Sequence, residues 1–482
     1  MTPLWTVDTV AGALGTTFRG EGAPAFTGVS IDSRSVNPGD LFFALRGERL
    51  DGHAYVGAAL EAGAAAVVVA DPSCVPAGGA CFVVDDTQAA LEALARAART
   101  RFGGKVVGLT GSVGKTSTKE MLRTAIEVGC QLRVHASDGN LNNHIGVPLS
   151  LARMPEDADV AVFEMGMNHA GEISALSRLV RPDVALVTTI SPAHLAFFRD
   201  LDAIADAKAE IFDGLESGGT AVLGRDGRYY ERLRERALKN DAWYIVSFGE
   251  SPYANVRMMD YALGAGRVDV TVSAEGRPIS YSMPVEGVQW VCNSMASLAV
   301  IRALNLSLED AARGLASVSA PAGRGLRHCL ALPSGEGTFQ LVDESYNANP
   351  DSMDAAIATL SMLPVGPTGR RIAVLGDMLE LGEQENALHE RLARQVAERD
   401  IDLVFATGPL MARLFEALPE RLRGQHTAAP ELLMAPLVAA LRDGDVVTLK
   451  GSHGSGVWKI AAALLETCEP RTATGAPAAP QS

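Results

Sequence analysis

Between an apolar run at residues 106–109 and a helix-forming stretch from about residue 115 to 126 lies the segment TGSVGKTS, residues 110–117. A strand that passes into a helix through a two-glycine turn leaves few folds open to a chain. Glycine lets the backbone curl until successive N–H groups point inward, and the following helix N-terminus adds a partial positive charge. That is the context a phosphate-binding loop requires. Its place is the carboxyl edge of a parallel sheet. Lys115 can reach the β and γ phosphates of a nucleotide, and the Thr116 hydroxyl can ligate Mg²⁺. Thr110, Gly111, Ser112, Val113, Gly114, Lys115, Thr116 and Ser117 are therefore the candidate ATP-binding residues. Leu109 stands where the general pattern has glycine, and a plain glycine turn is the alternative.

The rest of the chain repeats this rhythm of strand and helix. Around the loop, apolar runs at 160–163, 184–190 and 220–223 predict buried strands, with helices at 172–179 and 201–212 between them. Such alternation implies a mostly parallel sheet with helices on both faces. Residues 253–284 lack it and predict an antiparallel excursion. From about residue 320 the alternation resumes, with strands at 339–342, 372–375, 403–406 and 446–449. Helices at 352–363, 387–398, 409–418 and 431–442 separate them, giving a second doubly wound unit. The first 85 residues predict short strands at 41–45, 66–70 and 81–84, and a helix at 55–62. A strong helix at 87–101, with Thr87 as its N-cap, leads out of them. The expected fold is thus α/β in three domains. Residues 1–85 form a small mixed unit, 86–319 a central parallel-sheet ATPase-like domain, and 320–469 a Rossmann-like domain. A Pro/Gly-rich hinge lies at 319–325, and the apolar-poor tail 470–482 is expected to be disordered.

Composition narrows the function classes. The 482 residues carry a net charge of −15 and only 5% aromatics, which argues against nucleic acid as a partner. No apolar run reaches the ~18–20 residues of a membrane span, so no membrane insertion is expected. The N-terminus MTPLWTVDTVAGALG has no basic region and carries Asp8, so no signal peptide is expected. The six cysteines form no CxxC pair and read as free thiols of a cytoplasmic protein.

Other candidate residues cluster after strands. Glu164 ends the run 160–163 in FEMGMNHAGE, where open α/β sheets place ligands, although a solvated loop glutamate is the alternative. His194, in SPAHL, follows the run 184–190; with Glu164 and Thr116 converging there it becomes a reasonable metal ligand. Lys208 lies in the helical AIADAKAEIF, and on residue chemistry alone a surface lysine is the simpler reading. Asn140, Asn142 and Asn143, in NLNNHIGVP, form either a turn or a set of amides holding substrate oxygens. In DESYNANPDS, residues 343–352, Asp343, Asn347 and Asn349 can bind a ribose or peptide, or simply make a turn and cap a helix. Arg324 in the hinge could close onto phosphates.

Taken together, TGSVGKTSTKEML, NLNNHIGVPLSL, FEMGMNHAGEI, SPAHL followed by AKAEIF, SYNANPDSM and VLGDMLELG resemble the Mur ligases. This family adds amino acids to the bacterial cell-wall precursor. The resemblance runs from about Asp32 to His453. SYNANP and GDMLELG point to the member that joins D-alanyl-D-alanine to UDP-N-acetylmuramoyl-tripeptide. Those two molecules are then the expected partners, in an ATP- and Mg²⁺-dependent reaction through an acyl phosphate, catalysed by a monomer. The resemblance implies Lys115, Glu164, His194 and Lys208 as the catalytic set. Thr116, Glu164, His194 and a carbamylated Lys208 become the metal ligands. Asn293, Arg324 and Asp343 become nucleotide contacts. It further implies that Ser30, Asp32, Ser33 and Arg34 bind the UDP group, with Asn142, Asn143, Asn347 and Asn349 also on the substrate side. A sibling amino-acid-adding ligase, a folylpolyglutamate synthase, and a switch or transport ATPase stay open as alternatives.

Overall fold

The structure is a computed structural model and describes residues 3–21, 25–47, 50–192, 195–264 and 266–471. Three main sheets carry it. The first has five strands in the order Phe18–Arg19, Cys81–Val83, Ala66–Val69, Asp40–Phe43 and Gly28–Ser30, and all but the Phe18–Arg19 pairing are parallel. Asp40–Phe43 and Ala66–Val69 are buried at every position, as continuous apolar runs covered on both faces must be.

The second sheet has nine strands. Lys105–Thr110 lies between Val160–Glu164 on one side and Val184–Val187 on the other, all parallel. Thr220–Gly224 and Tyr244–Gly249 extend the parallel part. The predicted excursion is an antiparallel meander of Val256–Gly264, Arg267–Ala274 and Arg277–Met283 added at that edge. The carboxyl ends of Lys105–Thr110 and its two neighbours therefore open a crevice where the chain departs to opposite sides. In the third sheet, Leu326–Ala331 pairs antiparallel with Thr338–Glu344. Val446–Lys450, Arg371–Gly376, Leu403–Thr407 and Arg423–Thr427 follow in parallel.

Several local expectations shift. Helix Thr87–Arg101 is capped by Asp86 and not Thr87: the Asp86 carboxylate accepts from the Gln88 and Ala89 N–H groups. The Thr87 hydroxyl instead donates to the Ala44 carbonyl, 2.9 Å away. The helix after the loop ends at Thr124 and continues as a π turn, Ala125–Gly129. The strand expected over 184–190 stops at Val187, because Thr188 and Thr189 turn to support the glycine loop. Helix Met434–Ala440 is shorter than the stretch 431–442. Pro470 and Arg471 are not loose: they pair with Leu330 and Cys329. The remainder of the tail lies outside the described residues.

One apolar core runs unbroken from the first sheet into the second. Trp5, Val10 and Phe26 join Leu91, Leu94 and Ala98 of helix Thr87–Arg101, and Val147 and Leu151 of helix Gly146–Ala152. Polar stitches reinforce it. Trp5 Nε1 donates to the Ala152 carbonyl at 2.8 Å, Arg153 Nε to the Val29 carbonyl at 2.7 Å, and the Arg101 guanidinium lies 3.6 Å from the Trp5 ring centre. Helix Val288–Ala303 lies across the second sheet, with ten of its sixteen residues buried. No amphipathic stripe marks such a helix in a sequence, and it passed unpredicted.

Candidate active site

The glycine loop, residues 111–114, hangs from the carboxyl end of Lys105–Thr110. Gly111 has φ +155°, and a Cβ there would collide with the Thr188 hydroxyl. Gly114 has φ +83°, and a Cβ would lie 2.6 Å from Asn293 Oδ1. Both glycines are thus required, the second because helix Val288–Ala303 presses Asn293 against the loop. Beneath it, Thr189 O accepts from Ser112 N at 2.8 Å, and the Thr188 hydroxyl donates to Val113 O at 2.6 Å. Neither threonine was singled out from sequence.

Lys115 folds back over the loop and donates to the Gly111 carbonyl at 2.8 Å. Burial pushes its pKa below the ordinary lysine value; the Glu164 carboxylate opposes that shift and the Arg324 charge adds to it. Thr116 is buried, and its hydroxyl donates to Glu164 Oε2 at 2.7 Å. Asn142 Nδ2 donates to Glu164 Oε1 at 2.8 Å. Glu164, only 2% exposed, is therefore no loop residue but the acceptor on which the glycine-loop helix and the Asn142 loop meet.

Lys208 overturns the surface-lysine reading. It is 2% exposed, within helix Leu201–Ala209, and forms no described ion pair or hydrogen bond. Burial, and then the charge of Lys115, hold its pKa well below the ordinary range. His194 lies outside the described residues.

These groups face a cavity of about 530 Å³ whose opposite wall comes from the third sheet. Arg324, Glu344, Tyr346, Asn347, Asn349 and Lys450 line that wall, and the Arg324 guanidinium lies 4.0 Å from the Tyr346 ring centre. A second cavity of about 430 Å³ adjoins it, sharing Asn293 and Cys292. Ser112 to Ser117, Asn140, Asn142, Glu164, Lys208, Asn293 and Arg324 all reach the first cavity.

Other candidates sit differently. Thr110 ends the strand beneath the loop and is fully buried. Asp343 is buried, but its carboxylate accepts from Gly323 N, Ser345 N and the Ser345 hydroxyl. It does not line the cavity; it fixes the turn that presents Arg324. Asn143 Oδ1 accepts from Ile145 N and Gly146 N, capping helix Gly146–Ala152. Asn349 lines the cavity and also caps helix Pro350–Met362 through Ser352 N. Ser30, Asp32, Ser33 and Arg34 do not line the cavity. Arg34 clasps Asp32 with bonds of 2.6–3.2 Å in an exposed loop, and holds the Asp32 pKa down to about 2.

Lys119 went unnoticed in the sequence and no spacing signals it. It is fully buried one turn after Lys115 and donates to the carbonyls of Ser137 and Gly139. It thereby ties the glycine-loop helix to the segment that carries Asn142. Among the described residues no cluster of three or more His, Cys, Asp or Glu side chains could hold a metal. No helix among them is long and apolar enough to cross a membrane.

Family models match three stretches of the chain. Residues 25–99 match the Mur ligase family catalytic domain, 109–301 the Mur ligase middle domain, and 333–453 the Mur ligase glutamate ligase domain. UDP-N-acetylmuramoyl-tripeptide–D-alanyl-D-alanine ligase of Bacillus subtilis (strain 168) is 36% identical over 447 residues, covering 91% of this chain and 93% of that protein. The chain belongs to the Mur ligase family. Mur ligases of this kind are ATP-dependent, ADP-forming ligases, so a nucleotide loop and a second cavity wall that meets it are what the family requires. The crystal structure of MurF from Acinetobacter baumannii superposes with a TM-score of 0.83 at 30% identity, over 96% of this chain and 99% of that one. MurF ligase from Thermotoga maritima in complex with ADP gives a TM-score of 0.76 at 27% identity, over 91% and 97%.

Proposed function

We infer that this chain joins D-alanyl-D-alanine to UDP-N-acetylmuramoyl-tripeptide, converting ATP to ADP and phosphate, in the cytoplasmic stage of peptidoglycan precursor synthesis. The observation that carries this reading is the single cavity that Lys115, Thr116, Glu164 and Lys208 share with Arg324, Asn347 and Asn349. One wall suits phosphoryl transfer, and the other, on a separate sheet, is free to present a nucleophile. A monomer is assigned on the family resemblance.

The terminal carboxylate of the tripeptide attacks the γ-phosphorus of ATP, giving an acyl phosphate and ADP. The amine of the dipeptide then adds to the acyl carbon, phosphate leaves, and the nitrogen loses a proton. The N–H groups of Gly114 and of the first turn of the helix that follows hold the nucleotide phosphates, and Lys115 and Arg324 offset the charge on the transferring group. Thr116 and Glu164 present hard oxygens 2.7 Å apart beside Lys115, a donor set that suits Mg²⁺. These two residues would hold that ion, which when bound neutralises phosphate charge. His194 is assigned to the same set on the family resemblance.

Lys208, buried without a partner among the described residues, is assigned as a carbamate. The ammonium gives up one proton, the neutral amine nitrogen bonds to the carbon of CO₂ and releases a second, and a cation becomes a two-oxygen anion. Residues 1–85 are assigned to the UDP group through Ser30, Asp32, Ser33 and Arg34, residues 86–319 to ATP, and residues 320–469 to the dipeptide. Asn142 and Asn143 are placed on the tripeptide side, the first by direct contact and the second by shaping its loop. The test is substrate omission. Sustained turnover of ATP to ADP should require ATP, UDP-N-acetylmuramoyl-tripeptide and D-alanyl-D-alanine together, with at most one ADP per enzyme when the dipeptide is left out, and mass spectrometry should find the pentapeptide product. ADP release without the UDP-linked substrate would point to a plain ATPase.

A further inference from the structure

Three carboxylates line the cavity: Glu164, Glu344 and Asp351. Both Glu164 oxygens are engaged, by Thr116 and Asn142. Asp351 is exposed in the first turn of helix Pro350–Met362. Glu344 is different. It ends strand Thr338–Glu344, its side chain is 17% exposed, and Lys450 Nζ lies 3.2 Å from its Oε2. Lys450 is itself buried, and its other bond goes to the Asn347 carbonyl at 3.1 Å. Glu344 Oε1 accepts no hydrogen bond among the described residues. The backbone facing that oxygen is Gly325, where a Cβ would stand 3.1 Å from it. A largely buried carboxylate that lines the cavity is thus held at one oxygen by a lysine, while the absence of a side chain at Gly325 leaves room beside the other.

We propose that Glu344 binds the ammonium group of the incoming dipeptide, with Lys450 as its positioning partner. The proposal rests on the ligase reading above. The cavity also holds the side chains of Lys115, Arg324 and Lys450. An ammonium carried among these cations is repelled everywhere except at a carboxylate with an open lone pair. Glu344 Oε1 supplies that lone pair, and a charge-assisted hydrogen bond fixes the nitrogen. Because Glu344 belongs to the third sheet, the amine enters from the wall opposite Lys115 and Glu164, the side from which an acyl phosphate held by those residues is open to attack. The geometry selects acceptors with a free amino terminus.

The test separates the two half-reactions in the full-length protein. Hydroxylamine traps the acyl phosphate made from ATP and UDP-N-acetylmuramoyl-tripeptide without any need for the dipeptide site. In Glu344→Gln, the KM for D-alanyl-D-alanine should rise at least about tenfold, while hydroxamate formation and the KM for ATP stay within about twofold of wild type. Glu344→Asp, which keeps the charge, should recover part of the loss. A dipeptide KM unchanged in Glu344→Gln, or hydroxamate formation falling in parallel with it, would overturn the assignment. A wild-type protein that gives neither hydroxamate nor ligated product would overturn the ligase reading and this assignment with it. A second measurement needs no folded variant. D-lactyl-D-alanine, which carries a hydroxyl in place of the ammonium, should compete with the dipeptide at least about tenfold more weakly than the dipeptide itself binds to the wild-type enzyme. Equal binding would overturn the proposal.

Discussion

The Thr116 hydroxyl donates to Glu164 Oε2 across 2.7 Å, joining the first turn of the helix after the glycine loop to the end of the neighbouring strand Val160–Glu164. Removing that hydroxyl without changing side-chain volume strips a donor from a buried carboxylate and an oxygen from the metal set. Thr116→Val should lower kcat/KM for ATP by at least about tenfold, since a hydrogen bond to a charged group contributes about 1.5–3 kcal/mol. Steady-state kinetics across a Mg²⁺ titration checks this. A variant with a wild-type Mg²⁺ dependence would remove Thr116 from the set.

Lys115→Ala should abolish turnover and leave the fold nearly intact. Among the described residues the lysine donates only to the Gly111 carbonyl, and its pKa already sits below the ordinary value because burial disfavours the charge. Thermal melting and the ligation assay together decide it. Near-normal turnover would refute the phosphate-loop assignment.

Lys208→Ala should be nearly inactive and partly restored by acetate or formate, which replace the carboxylate-like end of a carbamate. The pH dependence of stability gives an independent check. The folded-state pKa of Lys208 lies below that of the unfolded chain, so between the two values the unfolded state binds more protons and stability rises with pH. In CO₂-free buffer, urea midpoints of the wild type should therefore climb with pH, up to the ordinary lysine pKa of about 10.4, more steeply than those of Lys208→Met. Equal slopes would mean that Lys208 carries no such cost.

Arg34→Ala should weaken binding of the UDP-linked substrate by roughly tenfold or more while leaving ATP binding unchanged, a split that calorimetry resolves. The same substitution releases Asp32, whose pKa should return from about 2 toward 3.8. The stabilising pair is present above the ordinary carboxylate pKa and lost as pH falls through about 2, and NMR titration of Asp32 reads the change directly. Equal effects on both nucleotides would contradict the assignment of residues 1–85 to UDP.

The sequence analysis reached furthest where one residue type has one use. TGSVGKTS between a strand and a helix has a single economical conformation, and the alternation of apolar runs with helices left parallel sheets as the outcome. Glu164 was found because it ends such a run. What escaped was set by packing. Helix Val288–Ala303 is apolar nearly all round, so no period exposes it. Asp343 and Asn143 carry the right chemistry for ligands, but local backbone N–H groups take their oxygens first, as acidic and amide side chains beside turns commonly allow. Lys208 reads as a surface lysine until the fold shows it buried within helix Leu201–Ala209, which packs against neighbouring helices. The pairing of Glu344 with Lys450 joins residues 106 apart and depends on which strands lie side by side.

The central claim is that the tripeptide carboxylate is activated as an acyl phosphate in this cavity. The most direct measurement labels that carboxylate with oxygen-18 and follows the released phosphate by phosphorus NMR during turnover with D-alanyl-D-alanine. Attack of the carboxylate on the γ-phosphorus carries one labelled oxygen into each phosphate released, in step with the pentapeptide formed. Phosphate released without label, while ATP is consumed and product accumulates, would contradict the account.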